Sequence, residues 1–474
     1  MWKYFATFSQ IPRCSKHEAA ASQFVVDTAK QLGLAVTQDH FGNVAVKKPA
    51  SAGREKAASV CLQGHLDMVC EKTPMTVHDF SKDPIELVRR DNTLMANGTT
   101  LGADNGIAVA TNLAIMEDRS LEHGPLEFLF TVDEETGLTG AHNLQPGFIE
   151  SRILLNLDSE EEGALYVGCA GGKDTTGTWT VEYEPTPPAL APIEVTVSDL
   201  RGGHSGLDVD KGRGNALKLL NRIVRALGDV GARVCRIDGG NKRNAIPREA
   251  RALVCVPDVA IAEQIVRRWK GTLCAELATV EPGLMVEASR PTARGGQVFS
   301  EKCQKNITQA LGALPHGVIK MSADIPSLVE TSTNLAVVAT DGNTVSVATS
   351  QRSSVASEID DIVGTVTTIF ELAGARVEHS DGYPGWKPNL DSPILKTAVA
   401  TFKSLYGREP EVKAVHAGLE CGIIGEKYPG IDMVSFGPTL EGVHSPDEKI
   451  YVDTVARFWE FLLAVLKQSA QSAA

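Results

Sequence analysis

Five segments of this 474-residue chain carry histidine or carboxylate side chains where an apolar run ends or a helix begins. The segments read LQGHLDMV, LGADNGIA, TVDEETG, LLNLDSEEEG and GPTLEGVHSPDE, and their candidate residues are His65, Asp67, Asp104, Glu134, Glu135, Asp158 and His444. Each residue alone has an ordinary explanation, such as a helix cap at Asp104 or a solvated acidic loop after Asp158. Imidazoles and carboxylates without a thiolate are, however, the ligand set of catalytic zinc, cobalt or manganese.

The number of candidate ligands bears on the type of centre. Five ligands exceed the three protein ligands that a single catalytic zinc ion usually has, so two ions sharing one bridging carboxylate are the economical arrangement. Two ions about 3.5–4 Å apart can hold a water between them and polarise a carbonyl group. The residues therefore favour a two-metal hydrolytic centre, with unrelated caps and acidic loops as the alternative.

The predicted elements would bring these residues together. The runs 59–64, 126–132 and 153–157 have the continuous hydrophobicity of buried strands, and 104–118 reads as a helix that begins at an Asp/Asn cap. Strands alternating with helices indicate a doubly wound, mostly parallel sheet. Ligands bind beyond the carboxyl ends of the strands in such a sheet, so the five segments should converge.

Two adjacent glutamates, Glu134 and Glu135, leave the strand 126–132 together. Successive side chains of an extended chain point to opposite sides, so the two are expected to serve different atoms. Asp133, directly before them, has no role that the sequence supports.

The pattern of apolar residues changes after the proline-rich stretch 183–194. Three later segments alternate as strands with one solvated face, and they bracket two helical stretches; the strands are 193–200, 248–256 and 343–354, and the helices 214–227 and 357–374. The alternation of predicted strands and helices returns after the glycine- and proline-containing stretch 380–389. We therefore predict an α/β catalytic domain made of 1–188 and 381–474, with an α+β domain inserted at 189–380.

Composition excludes several classes of partner. A hydrophobic share of 43% with 22% charged residues is typical of a globular protein, and the net charge of −13 argues against a nucleic acid or an anionic membrane. There is no apolar run of about 18 residues and no signal-peptide pattern at the start. Nine cysteines without a C-x-x-C pair predict reduced thiols in a cytoplasmic protein.

Competing catalytic motifs are incomplete. RGGHSGLD has Leu207 where a nucleophile elbow needs glycine, and GCAGGKD lacks the leading glycine of a Walker A loop and has Asp174 in place of Ser/Thr. No G-x-G-x-x-G follows a strand. Neither serine hydrolysis nor nucleotide binding has support.

The sequence resembles a known family, the aminoacyl-histidine dipeptidases of the bacterial carnosinase type, which belong to the clan of co-catalytic di-zinc peptidases. The likeness runs nearly end to end and is carried by the motifs HLDMV, TVHDFSKDPI, GTTLGADNGIA, DSEEEGALYVGCAGG, GGHSG, RNAIPREA, YPGW, HAGLECG and GVHSPDEK. HLDMV and ADNG alone indicate the wider clan, whereas SEEEG…GCAGG with HAGLECG points to the dipeptidase branch. The resemblance implies that the inserted domain is an enlarged lid.

The resemblance also implies a role for each site residue. His65 and His444 would each hold one of two divalent metal ions, Zn first with Co or Mn as alternatives. Asp104 would bridge both ions, placed by a cis peptide bond to Asn105, and Glu135 and Asp158 would complete the two sets of ligands. Asp67 would orient His65 by a hydrogen bond, and Glu134 would be the general base.

In the lid, the resemblance implies that His204 of GGHSG donates to the developing oxyanion. Asn244 of RNAIP and Arg352 of SQRSS would hold the substrate or its terminal carboxylate. Gly418 and Glu420 of HAGLECG would line the substrate pocket. The ordinary explanations are a surface position for Arg352 and a plain glycine turn at GGHSG.

The expected function is metal-assisted hydrolysis of small peptides, preferably Xaa-His dipeptides such as β-alanyl-histidine, by a metal-bridged water that Glu134 activates. The competing hypotheses are a broader dipeptidase, an aminotripeptidase or an N-acyl amino acid hydrolase of the same clan, and a non-catalytic protein on a peptidase scaffold. Dimerisation is common in the clan, so a homodimer is also an expectation.

Overall fold

The structure is a computed structural model that describes residues 1–291 and 296–471. In chain order its helices are α1 (Trp2–Phe8), α2 (Ala19–Gln31), α3 (Ala103–Glu117), α4 (Glu134–Gly137), α5 (Thr139–Asn143), α6 (Ala216–Gly228), α7 (Val259–Glu276), α8 (Glu301–Ala313), α9 (Ala356–Leu372), α10 (Pro393–Tyr406), α11 (Glu420–Lys427) and α12 (Val452–Gln471).

Its strands are β1 (Ala35–Gln38), β2 (Val44–Lys48), β3 (Val60–His65), β4 (Leu87–Arg90), β5 (Thr93–Ala96), β6 (Leu126–Thr131), β7 (Ile153–Asn156), β8 (Ala164–Cys169), β9 (Gly171–Thr180), β10 (Tyr183–Pro185), β11 (Ala191–Ser198), β12 (Gly203–His204), β13 (Arg233–Gly239), β14 (Ala245–Ile246), β15 (Ala250–Val256), β16 (Met285–Ser289), β17 (Gln297–Phe299), β18 (Gly317–Met321), β19 (Val329–Asp341), β20 (Thr344–Ser353), β21 (Arg376–His379), β22 (Glu411–Val415), β23 (Asp432–Ser435), β24 (Leu440–Glu441) and β25 (Lys449–Tyr451). Among the described residues, no helix is both long enough and apolar enough to cross a membrane.

The chain divides into two compact units. The first, which we call the catalytic unit, contains Met1–Cys169, Trp386–Ala414 and the chain from Leu419 onward; the second, the lid unit, contains Ala170–Gly385 and Val415–Gly418. The catalytic unit is thus made from both ends of the chain, and most of the lid unit lies between them. The exact boundaries differ from 189–380, and hydrogen bonding explains why.

The lid unit begins well before residue 189 because β9 pairs with β20 along its whole length. The proline-rich stretch is therefore inside the lid unit, where β10 pairs with β17. At the other end, reciprocal backbone hydrogen bonds between Gly172 and Tyr383 keep the residues after 380 in the lid unit. The short return at 415–418 belongs there because Ala170 N–H donates to the carbonyls of Val415 and Ala417.

The catalytic unit is built on an eight-stranded sheet with the order β1-β2-β6-β3-β7-β23-β8-β22. Its centre is parallel, since β3 pairs in parallel with β6 and β7, and β7 with β23. Antiparallel strands flank this centre. The predicted α/β fold with a mostly parallel doubly wound sheet is confirmed, and the strands predicted from continuous hydrophobicity are buried on both faces.

Helix α3 is buried nearly all round, which suits its apolar composition and its place against β3. Its first turn is irregular: Asp104 and Asn105 have non-helical backbone angles, and the peptide bond between them is cis, as expected. Asp104 is thereby presented at the start of the helix, next to the carboxyl end of β3.

One prediction about the cysteines is wrong. Cys14 and Cys70 form a disulfide, while the other seven cysteines are free. Cys14 pairs with Met68 in an isolated parallel bridge, which brings the Cα atoms of Cys14 and Cys70 to 5.7 Å, within the range of a disulfide. A separation of 56 residues gives no local signal of this pairing.

The described residues of the lid unit include an antiparallel nine-stranded sheet and four helices, in agreement with the predicted α+β class. Apolar side chains of α6, α7, α8 and α9 share one core with the strands. Helix α6 begins at Asn215, whose side chain accepts hydrogen bonds from the backbone of Leu217 and Lys218 and so caps the helix.

Candidate metal centre

Asp104 lies between two histidines and faces each with one carboxylate oxygen. Its Oδ1 is 3.1 Å from His65 Nε2, and its Oδ2 is 3.1 Å from His444 Nε2. Asp158 Oδ1 is 3.3 Å from His65 Nε2, and Glu135 Oε2 is 2.9 Å from His444 Nε2. The five predicted ligands thus form two clusters, one around each histidine, that share Asp104.

Each cluster has the dimensions and chemistry of a metal site. The ligand atoms of His65, Asp104 and Asp158 lie within 4.8 Å of one another, as do those of Asp104, Glu135 and His444. Glu135 Oε1 is buried and has no hydrogen-bond donor, which is costly unless a cation satisfies it. The nitrogen and oxygen donors present therefore fit two divalent ions, with Asp104 as their common ligand.

The pKa values show how strongly the site favours positive charge. Burial by itself lowers the pKa of His65, but nearby carboxylates, Asp158 first, raise it well above its usual value. Hydrogen bonds to Asp104 and Glu135 raise the pKa of His444 to about 11. Burial raises the pKa of Asp158 to about 6, although His65 acts in the opposite direction. Protonated imidazoles and divalent ions are therefore alternative counter-charges for the same carboxylates.

Glu134 and Glu135 begin the short helix α4, so the chain has already left the extended conformation at this point. The two side chains therefore do not alternate as on a strand, and that prediction is wrong; in a helical turn, successive side chains diverge by roughly 100°. Asp133 precedes them with φ 51°, and its buried carboxylate accepts hydrogen bonds from the hydroxyls of Thr136 and Thr139. Asp133 thus fixes the turn that presents the two glutamates.

Glu134 lies close to the ligands. One of its carboxylate oxygens belongs with ligand atoms of His65 and Glu135 to a set whose members are all within 4.8 Å. Burial raises the pKa of Glu134 well above its usual value, against the charge of His65. A carboxyl group with a raised pKa in this position is suited to exchanging a proton with a water at the metals.

Asp67 connects His65 to the turn that carries the glutamates. Its Oδ1 is 3.2 Å from His65 Nδ1 and accepts a hydrogen bond from Glu134 N–H, while its Oδ2 accepts from Glu135 N–H and Ser15 Oγ. Burial by itself would raise the pKa of Asp67, but the hydrogen bonds from His65 and Ser15 lower it to about 2. The role of Asp67 in orienting His65 stays a prediction.

Two positioning residues were not among the sequence candidates. The Glu448 carboxylate accepts four backbone hydrogen bonds, from the N–H groups of residues 101–104, at 2.7–3.2 Å. Buried Arg13 donates to the carbonyls of Leu66, Asp67 and Gly102, so it ties the loop after β3 to the loop before α3. The only sequence signal for Glu448 is its place four residues after His444.

Glu420 is buried beneath the ligands rather than on an exposed wall. Its Oε2 accepts hydrogen bonds from Gln63 Nε2 and Thr131 Oγ1, both at 2.6 Å, and its Oε1 has no donor. Gln63 and Asn156 are hydrogen-bonded to each other; Gln63 lies two residues before His65 on the same face of β3, and Asn156 ends β7 two residues before Asp158. Burial raises the pKa of Glu420 to about 7. The predicted place of Glu420 in the substrate pocket stays a prediction.

The lid unit brings together three other predicted residues. The pairing of β12 with β14 places His204 opposite Ala245, next to Asn244, whose carbonyl accepts from Ser205 N–H. Ser205 Oγ is 3.4 Å from Arg352 Nε. His204 Nδ1 accepts hydrogen bonds from two backbone N–H groups, so the neutral ring carries its proton on Nε2 and can donate there.

Arg352 is buried, not a surface strand residue. Its Nη1 donates to the Tyr383 hydroxyl at 2.7 Å, and within the described chain no carboxylate pairs with it. Gly418 lies against the same tyrosine, because a Cβ there would be 2.9 Å from Tyr383 Cε2. A buried guanidinium without a carboxylate is suited to binding one from a ligand, although the substrate-binding roles of Asn244, Arg352 and Gly418 stay predictions.

Two histidine–carboxylate clusters joined by one aspartate, at the carboxyl ends of parallel strands and next to a glutamate, define the site of a two-metal hydrolase. The model of the peptidase family M20/M25/M40 matches residues 61–468. The chain belongs to this family of peptidases, and the family resemblance stated from the sequence is confirmed.

Two similar proteins cover almost the whole chain. It is 40% identical over 471 residues to the cytosol non-specific dipeptidase of Escherichia coli (strain K12), covering 99% of this chain and 97% of the relative. The crystal structure of aminoacylhistidine dipeptidase from Vibrio alginolyticus has 42% identity and a TM-score of 0.89, covering 98% of this chain and 96% of the other. Aminopeptidase PepT from Bacillus cereus, with 18% identity and a TM-score of 0.57 over 99% of this chain and 98% of the other, shares the fold.

Proposed function

We propose that this peptidase hydrolyses dipeptides, preferring Xaa-His substrates such as β-alanyl-histidine, with two bound divalent ions, zinc first and cobalt or manganese as alternatives. The observation that carries this proposal is the pair of clusters that share Asp104, with Glu134 beside them. The two relatives similar over nearly the full chain are a non-specific dipeptidase and an aminoacylhistidine dipeptidase, which supports the substrate class. The name of the first also supports a cytoplasmic location.

The residues of the two clusters and Asp67 would have the following roles. His65, Asp104 and Asp158 would hold one ion, and Asp104, Glu135 and His444 the other. When bound, the ions would supply an acidic water and polarise the scissile carbonyl group. Asp67 would keep His65 oriented, because its Oδ1 is 3.2 Å from Nδ1 while Nε2 faces the cluster.

Glu134 would accept a proton from the attacking water and deliver it to the leaving amine. As the water oxygen bonds to the carbonyl carbon, the Glu134 carboxylate takes the water proton. When the C–N bond breaks, the same carboxyl group delivers that proton to the departing amine nitrogen. The lid residue His204, with its donor on Nε2, is our candidate for stabilising the carbonyl oxygen in between.

The test is a comparison of kcat/KM for carnosine, other Xaa-His dipeptides, dipeptides without histidine, tripeptides and N-acetyl amino acids, before and after chelation and with each metal added back. We expect dipeptides with C-terminal histidine to be cleaved fastest, activity to disappear on chelation, and zinc to restore it. Equal rates on all dipeptides would indicate the broader dipeptidase. Cleavage of tripeptides or N-acetyl amino acids in place of dipeptides would indicate an aminotripeptidase or an N-acyl amino acid hydrolase, and either result would overturn the proposal.

A further inference from the structure

A short polar segment of the catalytic unit, residues 13–18, is hydrogen-bonded to the backbone around the candidate metal centre. It lies between α1 and α2 and outside every named helix and strand. Its first residue, Arg13, donates to carbonyl groups of the loop that follows β3 and of the loop that precedes α3. We call residues 13–18 the clamp segment.

Two further side chains of the clamp segment reach Asp67 and the turn that carries the two glutamates. Ser15 Oγ donates at 2.8 Å to Asp67 Oδ2, the oxygen that also accepts from Glu135 N–H. Glu18 Oε1 accepts from Asp133 N–H at 3.0 Å. The three carboxylates involved are buried, so loss of these hydrogen bonds is costly. The clamp segment therefore fixes both Asp67 and the start of the turn.

The clamp segment is anchored by one covalent bond. Cys14 forms a disulfide with Cys70, which follows Asp67 by three residues. The backbone pairs alongside this bond, because Cys14 and Met68 form an isolated parallel bridge and Met68 N–H donates to the Arg13 carbonyl at 3.1 Å. The disulfide thus joins the clamp segment directly to the loop that carries Asp67.

Apart from the disulfide, the clamp segment has only polar contacts to hold it. Its sequence, RCSKHE, contains no apolar side chain besides Cys14 that could pack into the core. Lys16 has φ 70°, a left-handed conformation that is unfavourable for a residue with a Cβ. We therefore expect the hydrogen bonds of the clamp segment to depend on the disulfide.

The disulfide is more accessible than most of the free thiols. Cys14 and Cys70 are half-buried, whereas six of the seven free cysteines are buried. In a reducing compartment such as the proposed cytoplasm, a disulfide is usually transient and either catalytic or redox-sensing. Among the described residues, neither sulfur belongs to a cluster of possible metal ligands. The redox-sensing role is the one that fits this position.

We propose that the disulfide of Cys14 and Cys70 is a redox switch of the metal centre, and that its reduction by a dithiol releases the clamp segment and weakens metal binding and turnover. One thiolate of the reductant attacks one Sγ, and the other cysteine leaves as a thiolate and takes up a proton. The second thiolate of the reductant then closes its own disulfide and releases the first cysteine as a thiol. Two electrons and two protons pass to the protein, and the reverse exchange restores the bond.

The inference deepens the proposed function and rests on it for the activity readout. Thiol titration of the denatured protein should count seven thiols before reduction and nine after it. The two forms, freed of reductant under nitrogen, are then compared well below their Tm values. Reduction should weaken zinc binding by about 10-fold, the lower end of the effect of losing a group that orients a ligand. Competition with a chromophoric chelator measures the affinity, and kcat on carnosine should fall by a similar factor.

Two variants serve as controls. The double variant Cys14→Ser/Cys70→Ser should match reduced wild type with or without reductant treatment, which also measures any zinc taken up by the dithiol itself. Cys274→Ser removes the one half-buried free cysteine among the described residues and should keep the full response. A disulfide that only stabilises the fold would lower Tm on reduction without changing zinc affinity or kcat, and this result would overturn the inference. Nine thiols before reduction would overturn it as well.

Hydrogen exchange of the metal-free protein gives a readout that needs neither metal nor turnover. Reduction should speed exchange in a peptide that covers residues 131–139, where backbone N–H groups donate to Glu18 and Asp67. Peptides of α12 should be unaffected. Unchanged exchange at 131–139 would contradict release of the clamp segment. If wild type cleaves no dipeptide, the proposed function fails, and zinc affinity and hydrogen exchange still decide the role of the disulfide.

Discussion

Glu134 and Glu135 show how two identical neighbours acquire different chemistry. Glu135 is 4% exposed as a side chain, and one of its oxygens contacts His444 Nε2 while the other has no donor. Within the part of the chain that the structure describes, the Glu134 carboxylate makes no such contact, and the Glu134 N–H donates to Asp67 Oδ1. One glutamate is therefore placed as a ligand, and the other is left free to exchange a proton.

This difference leads to opposite predictions for two single substitutions. Glu134→Ala should lower kcat by about 10²- to 10⁴-fold, because it removes the proton acceptor, and should retain both metal ions. Glu135→Ala should bind one ion more weakly and regain activity when excess metal is added. Steady-state kinetics on carnosine, with metal analysis of the dialysed proteins, separates the two outcomes. Wild-type turnover by Glu134→Ala would remove this residue from the mechanism.

At the scale of the elements, the bridging aspartate depends on a residue from the far end of the chain. Glu448 accepts hydrogen bonds from four successive N–H groups that lead into α3, including that of Asp104. It follows His444 by four residues, so one short segment supplies a ligand and also holds the backbone of another. Because the carboxylate is 2% exposed, its loss would leave several buried donors unsatisfied.

We therefore expect Glu448→Ala to reduce metal affinity by about 10- to 100-fold, as is typical when a group that orients a ligand is lost. Glu448→Gln should lie between, since an amide oxygen replaces only half of the acceptors. The matched control is Glu441→Gln, on the same segment, where the carboxylate is exposed and pairs with Lys449. Competition with a chromophoric chelator measures the affinity. Unchanged affinity in Glu448→Ala would contradict the assignment.

The polar layer beneath the ligands gives a test of Glu420. If its role is to accept from Gln63 and Thr131, Glu420→Ala should lower the free energy of unfolding by about 2–4 kcal/mol, because two buried donors lose their acceptor. Glu420→Gln should cost less. Urea denaturation measures both variants. A raised KM for carnosine with unchanged stability would instead favour the pocket-lining role expected from the sequence.

Much of this arrangement is visible in the sequence because it follows from local patterns. Continuous apolar runs identify β3, β6 and β7, and a chemically distinct residue at or just beyond each carboxyl end identifies His65, Glu134 and Asp158. What the sequence does not show depends on distant segments. Glu448 and the disulfide of Cys14 with Cys70 connect segments that no sequence periodicity links. The helical turn at Glu134 follows from the left-handed backbone conformation of Asp133. Asp is one of several residue types that tolerate this conformation, so its presence alone does not predict the turn.

The boundary between the units is unpredictable for a similar reason. Proline-rich composition suggested a linker near 183–194, but backbone pairing decides where β9 belongs, and the partner strand β20 lies more than 150 residues later. The amino-acid composition of a segment indicates only its local conformational preference. The pairing of β9 is a property of the whole lid unit.

At the scale of the whole molecule, the metal centre couples stability to pH. In the metal-free protein, the pKa of His65 is raised well above its usual value and that of His444 to about 11, so the folded state holds protons that the unfolded chain releases near pH 6.5. This stabilisation is complete below about pH 6.5 and is lost progressively as the pH rises toward the folded pKa values. Asp158, raised to about 6, changes stability in the same direction at lower pH. Asp67, lowered to about 2, acts in the opposite direction, but only below about pH 4.

Bound metal ions should reverse this dependence, since they require neutral imidazoles and ionised carboxylates and compete with protons for both. We expect the Tm of the chelated protein to fall by more than about 3 °C between pH 6.5 and pH 8.5. The increase in Tm caused by zinc should be larger at pH 8.5 than at pH 6.5, because more of the metal's binding energy is then available to the folded state. Differential scanning calorimetry at both pH values measures these shifts, with zinc-treated His65→Asn as the control in which the gain is reduced. An equal gain at both pH values would mean that the ligands do not hold their protons as the structure indicates, and that metal binding and the charge of the two histidines are independent.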